Sequence, residues 1–332
     1  MRTLSCTAAV ALLAGCSGGG SPPAAGVTAA GLNQTVRPRV APSYVTPFVN
    51  VARIKAPHGN QTFVTDAGTA TVTVWGANGQ LNAILFDGIG ADPQGLTTDA
   101  AQNLYVANLN FGNVIVYAKP YSSIKSTLND AGEDTEDVAV DKTGLVGVTN
   151  YLTSSLMPGS VSFFAKNATQ PCKVVQDPSW VYFFNDAFDA SGNLFIDGQT
   201  VAGTTLVGEV SGGCKATSIT TLSVGNTISW PGGVQVSDGN ILIGDVKKQV
   251  IYTYAPPSGG SLGSPTVVTT LEGAELPVTF AIEENGKHVR TADYAADRLY
   301  AALYTYPKGS YVSKLADHLW AVAVAIFPPA RP

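Results

Sequence analysis

Glu136, Asn185 and Asp186 are residue types whose oxygens suit a hard cation such as Ca²⁺, provided the fold brings them together. Trp180, Trp230, Phe111 and Tyr151 offer flat aromatic surfaces of the kind that bind a sugar or a peptide. Packing inside the fold is the competing use of those rings. Other reactive groups are sparse. The histidines, His58, His288 and His318, are widely separated and lack metal-ligand spacing such as His-Glu-x-x-His. Glycine runs at Gly18–Gly20 and Ser258-Gly259-Gly260 lack the strand-then-helix context of a phosphate loop and read as linker and turn.

Composition limits the elements that can position these residues. Of 332 residues only 13% are charged and 45% are hydrophobic, with 35 glycines and 20 prolines. Globular chains average about 25% charged, so charge is scarce here and turn formers are abundant. Val, Thr, Gly, Tyr and Phe dominate over the strong helix formers, which argues for an all-β fold and against a helical bundle. A net charge of −5 argues against a nucleic-acid partner, since phosphate binding needs a basic face.

The N-terminus reads as an address. Arg2 precedes an apolar run from Leu4 to Ala14, too short for a span of about 20 residues and suited to a secretory signal. The run ends Leu13-Ala14-Gly15-Cys16, which resembles the lipobox of bacterial lipoproteins. That resemblance implies a signal peptide over 1–15, cleavage before Cys16 and lipid on its sulfur, making the membrane a partner through that lipid. Ser17 stands where an Asp would resemble an inner-membrane retention signal, so the cell envelope, at the outer membrane or cell surface, is the expected location. Residues 16–46, rich in Gly, Ser, Pro and Ala, read as the lipidated cysteine and a disordered tether, leaving 47–332 as the folded domain. Removing Arg2, Arg37 and Arg39 with leader and tether takes the formal charge of the remainder from −5 to −8.

A cassette of 42–48 residues recurs across that domain. It has a short apolar strand, an Asp-x-x-Gly-Asn turn, a second strand ending in Asp or Asn, a gap, and a third alternating strand. The clearest copy is Gly95-Leu96-Thr97-Thr98-Asp99, Asn103 to Asn108 and Asn113 to Tyr117. The second-strand ends, Asp66, Asn108, Asn150, Asp197, Asp245 and Asp293, mark six copies. This period and strand count predict a six-bladed β-propeller. The first copy lacks its opening strand, whereas Trp320–Ile326 looks like an opening strand with no cassette behind it. The C-terminal run is therefore expected to be the innermost strand of the blade built from residues 60–86, closing the ring. Phe48–Ile54 is expected to add an outer strand or to lie over one face. The repeated Asp and Asn residues read as turn-setting groups that bond nearby backbone N–H groups, as do Asp99, Asp141, Asp189 and Asp238.

The pattern Gly-Leu-x-x-Asp, Asn-Leu-Tyr-Val-Ala-Asn, Asn-Val-Ile-Val-Tyr resembles NHL-repeat propellers and, more broadly, the gluconolactonase/regucalcin-like six-bladed group. The resemblance spans about 60–327. It implies that loops leading into the innermost strands gather at one channel mouth, bringing Gln94, Glu136-Asp137, Asn185-Asp186, Trp230-Pro231, Pro277 and His318 together. Gluconolactonase-like enzymes hold one divalent metal with a similar Glu, Asn and Asp set, which carries over to Glu136 and Asn185. The later innermost strand begins Pro231-Gly232-Gly233, with no carboxylate to complete the set. No catalytic residue is identifiable, and a propeller lyase lacks its His pair. The first expectation is a monomeric, lipid-anchored scaffold without a cofactor that binds a protein, peptide or glycan. A metal-dependent lactonase-like hydrolase is the alternative. Cys172 and Cys214 precede lysines at equivalent late positions of adjacent blades. Export favours a disulfide between them, while diverging outer positions oppose one.

Overall fold

Alternating Val, Thr and aromatic residues between Gly-rich turns do form strands, and the computed structural model has 25 of them among the described residues. The structure describes residues 61–76, 81–86, 91–153, 158–295, 298–317, 321–327 and 332. The expectations for residues 1–46, for Phe48–Ile54 and His58, and for His318 and Trp320 lie outside these.

Six sheets make six blades. Blade 1 holds β1 (Gln61–Asp66), β2 (Thr71–Trp75) and β3 (Leu81–Phe86). Blade 2 holds β4 (Pro93–Thr98), β5 (Leu104–Asn108), β6 (Asn113–Tyr117) and β7 (Ile124–Asn129). Blade 3 follows with β8 (Glu133–Val140), β9 (Val146–Thr153), β10 (Pro158–Phe164) and β11 (Lys173–Val175). Blade 4 has β12 (Tyr182–Phe188), β13 (Leu194–Gln199), β14 (Thr205–Val210) and β15 (Thr220–Val224). Blade 5 has β16 (Pro231–Ser237), β17 (Asn240–Asp245) and β18 (Val250–Tyr254), then β19 (Ser261–Gly263) and β20 (Val267–Thr270). Of these, β19 leaves its own blade and pairs in parallel with β15. Blade 6 has β21 (Pro277–Ile282), β22 (His288–Ala295), β23 (Arg298–Thr305) and β24 (Tyr311–Asp317). The last strand, β25 (Ala321–Phe327), pairs antiparallel with β1 and completes blade 1 from inside. The ring is closed as the missing opening strand predicts.

Burial follows the seams between blades. Each of the six apolar clusters fills one seam, from Phe63, Leu104 and Tyr117 between blades 1 and 2 to Phe163, Trp180 and Leu194 between blades 3 and 4. The closing seam between blades 6 and 1 is the least bulky, built on Ala281, Ala292, Ala301 and Ala321 with Val64, Val324 and Ile326. A buried ion pair compensates there. Arg290 on β22 donates to Glu283 at 2.8 Å and reaches Thr62 on β1, tying the last blade to the first.

Every innermost strand carries one extra residue against its partner at the same level. The register slips between Pro93 and Leu96, Thr135 and Asp137, Phe183 and Asp186, Gly232 and Val234, and Pro277 and Thr279. In blade 1 the slip opposite Val64 and Asp66 falls on β25. A bulge turns the strand and re-aims a side chain. Innermost strands of neighbouring blades share no sheet, so side chains link them instead. Thr98 Oγ1 donates to the Ile326 carbonyl at 3.3 Å, and Ile282 N–H donates to Gln235 Oε1 at 2.8 Å. Val324 N–H donates to Thr279 Oγ1 at 3.2 Å.

Candidate functional site

Strand direction defines two mouths. Innermost strands run from the upper mouth, where the inter-blade loops enter, to the lower mouth, where the Asp-x-x-Gly-Asn turns lie. Glu136-Asp137 and Asn185-Asp186 sit within β8 and β12 at the bulges, not in the loops before those strands as expected. The reason is the extra residue, which lengthens each strand toward the upper mouth. At this level the ring is polar on blades 2 to 4, with Gln94, Glu136 and Asn185. It is small or apolar elsewhere, with Gly233, Val278 and Ala323.

Four carboxylates meet between blades 3 and 4. Asp137 accepts the Val138 N–H at 2.8 Å through Oδ1 and the Asp186 N–H at 3.2 Å through Oδ2. It packs against Gly95, where a Cβ would stand 1.8 Å from Oδ1, so blade 2 needs glycine there. Asn185 gives both its backbone N–H (2.9 Å) and its side-chain amide (3.0 Å) to Asp197 Oδ1. Neither Asp186 oxygen has a hydrogen-bond partner in good geometry, and Asp197 Oδ2 has none. Burial dominates the titration of these groups. It pushes Asp197 up to about 7, against the lowering effect of Asn185 and with a further rise from Glu136. Asp137 and Asp186 are raised too, by burial first and then by neighbouring carboxylates. At neutral pH the cluster holds protons.

A metal of the kind the resemblance implies does not fit this arrangement as built. Asn185 is committed to Asp197, and Asp137 to two backbone N–H groups. Among the described residues no three His, Cys, Asp or Glu side chains are placed to hold a metal ion. The channel cavity, about 230 Å³, runs from this level down to Asp141, Lys142, Asp189 and Ala190 at the lower mouth. Its walls are mostly apolar, with Val138, Val234, Phe280 and Val324 among them.

The aromatic candidates separate. Trp180 is fully buried in the seam between blades 3 and 4, stacked on Phe183 at 5.3 Å and donating through Nε1 to Thr221 at 3.0 Å. Gly198 and Gly208 leave the room its ring occupies, so Trp180 is core and does not reach a mouth. Trp230 is half-buried in the loop leading to β16, apart from the others. Tyr151 lies inside β9, stacks on Tyr182 at 5.1 Å and lies tilted against Phe184 at 5.7 Å. Phe111 ends the short 3-10 turn Leu109–Phe111 and is 47% exposed at the same upper mouth. Gly112, left-handed at φ +56°, packs that turn onto the Glu133 carbonyl. Tyr182 and Phe184 were missed because a bulge hides which residues of a strand face the mouth.

The strand-end series is structural where bonded. Asp245 accepts the Ser229 N–H at 2.7 Å, and Asp293 accepts the Glu275 and Leu276 N–H groups, so each braces the loop into the innermost strand of its own blade. Asp66 accepts the Thr69 N–H, and Asn150 donates to Asp130, Ser160 and Ser162. Asn108 is buried with no hydrogen-bond partner for its side chain. Asp99, Asp141 and Asp189 cap their own turns. Cys172 and Cys214 are joined, with Cα atoms 5.4 Å apart. The divergence of outer strands is overcome by a 3-10 turn, Gly213–Lys215, that carries Cys214 back to β11. Ser261 stands in a Gly-x-Ser-x-Gly spacing, but on β19 with its hydroxyl bonded to the Ser223 carbonyl, not on a strand-to-helix elbow.

No family model matches the chain, and none of the curated proteins does. Among solved structures, a chain from the crystal structure of a nidogen/laminin complex is similar with a TM-score of 0.63 and 16% identity, over 81% of this chain and 98% of that one. A protein of unknown function from Bacteroides caccae is similar with a TM-score of 0.60 and 10% identity, over 82% and 100%. At these identities the likeness shows the fold, a six-bladed β-propeller.

Proposed function

We propose that this protein is a lipid-anchored, extracytoplasmic propeller that binds a protein, peptide or glycan at its upper mouth. The observation that carries this reading is the shelf of Tyr151 and Tyr182 over Phe184, at the same mouth as exposed Phe111 and held on a closed ring. Tyr151 and Tyr182 are half open to solvent over buried Phe184, and rings fixed by strands in this way bind a partner at low entropic cost. One structural neighbour was solved in a complex of nidogen with laminin, which supports a protein partner for this fold. The order Arg2, apolar run, Leu13-Ala14-Gly15-Cys16 and polar tether supports the anchor and the cell-envelope location. Labelling with a radioactive fatty acid tests it: wild type should carry label in the membrane fraction and Cys16→Ser should carry none. Equal labelling of the two would refute the anchor. Glycan and peptide arrays test the binding reading, which complete lack of binding would overturn.

A metal-dependent lactonase-like hydrolase is a second reading, favoured only by Glu136 and Asn185 lying on bulges of consecutive innermost strands. Its test is lactone hydrolysis with added Ca²⁺ in wild type and Glu136→Gln. Activity lost in the variant would support it, and no activity in wild type would remove it.

A further inference from the structure

The bases of blades 2 to 4 are sorted by mouth, whereas acids occupy both, with Asp99, Asp141, Asp189 and Glu209 toward the lower one. The described residues from 91 to 224 contain six basic side chains, all lysine, and strand direction puts every one toward the lower mouth. Lys119 and Lys125 bond Gln102 and Asn103 at the turn after β4, and Lys142 donates to the Ala190 carbonyl at 2.7 Å. Lys166 packs on Gly144, Lys173 starts β11, and Lys215 sits in the 3-10 turn before β15. The upper side of the same blades holds Asp130, Glu133, Asp134, Glu136 and Asp177, above the Asp137, Asp186 and Asp197 cluster. The aromatic shelf and Phe111 lie on this acidic side.

We propose that the upper mouth over blades 2 to 4 docks an arginine- or lysine-bearing segment of a partner protein. The inference deepens the binding-scaffold reading and rests on it. Guanidinium and ammonium groups are attracted to the faces of aromatic rings and form strong hydrogen bonds with carboxylates. Glu133 suits the second role, since it is only half-buried at the upper end of β8. Burial, Asp130 and Asp134 together push Glu133 up to about 7, although Ser160 pulls the other way. Asp130 is raised by burial as well, against hydrogen bonds from Ser162 and Asn150. A bound cation stabilises the ionised carboxylate, so docking expels protons and strengthens as pH rises from 6 to 8. The groups that act on Glu133 are Asp130, Asp134 and Ser160, and no base lies on this side of blades 2 to 4 among the described residues.

The test is fluorescence anisotropy of a labelled Gly-Arg repeat peptide against the disulfide-bonded protein, in EDTA at low salt. A Gly-Glu repeat peptide and a neutral glycan are the comparisons. The Gly-Arg peptide alone should bind, more tightly at pH 8 than at pH 6. Glu133→Gln and Tyr151→Leu should each weaken it by roughly tenfold, the scale of one charge-assisted or cation–π contact. Lys142→Ala, at the lower mouth, should leave it unchanged, and circular dichroism of each variant checks its folding. If Gly-Arg binds but folded Glu133→Gln and Tyr151→Leu bind equally well, the proposed location is wrong. Should the glycan or the Gly-Glu peptide bind in its place, the basic-partner assignment falls while the scaffold reading survives. Binding of none of the three overturns the proposal.

Discussion

Raising the pH from 5 to 8 should weaken the folded ring, and Asp197 carries the most clearly assignable share. Its carboxyl moves from an ordinary 3.8 to about 7 because it is fully buried. The folded state therefore holds this proton more tightly than the unfolded chain. Its contribution is complete below the unfolded value and is lost as pH rises through the folded one. The full shift of about three units corresponds to roughly 4 kcal/mol, of which the stretch from pH 5 to 8 covers about two units, roughly 3 kcal/mol. Asp137 and Asp186 shift in the same direction and add to the loss. Urea unfolding at constant ionic strength, with the disulfide intact, should show the midpoint falling by about 1 M or more between pH 5 and pH 8. Asp197→Asn keeps an acceptor for the Asn185 amide without the charge, so its midpoint should depend less on pH. Equal or greater wild-type stability at pH 8 would refute the reasoning, as would an undiminished pH dependence in Asp197→Asn.

Three further outcomes follow from the seams and the cross-link. Glu283→Gln leaves Arg290 buried without its carboxylate in the closing seam and should cost about 3–5 kcal/mol, read by urea unfolding at pH 7. Ala292→Leu forces a larger side chain into that alanine-lined seam and should cost about 1–3 kcal/mol, read in the same way. Cys172→Ser with Cys214→Ser removes a link closing 42 residues and should lower stability by about 2–4 kcal/mol. A thermal midpoint unchanged in the double serine variant would show that the link is not formed in solution.

The ring was legible because its signals are periodic. Asp or Asn at each second-strand end and alternation in segments such as Val72-Thr73-Val74-Trp75 mark the blades, and the orphan C-terminal strand marks the closure. The site was less legible because it depends on single extra residues. One bulge in β8 and one in β12 move Glu136 and Asn185 from a loop into the strand, and alternation alone does not show this. Trp180, just before β12, reads from sequence as a binding surface. The signal that it is core lay in Gly198 and Gly208, on strands opposite it. The Cys172–Cys214 link needed the backward 3-10 turn, which spacing between blades does not reveal. Sidedness of the lysines was present in the chain but hidden in a net value, because it appears only once strand directions are assigned.

Hydrogen exchange with and without the Gly-Arg peptide tests most directly which mouth works. Added protection is expected in residues 109–112, 130–136, 151–153 and 182–185, with the turns at 99–103, 141–145 and 189–193 unchanged. Protection confined to those lower turns would contradict the assignment of binding to the upper mouth.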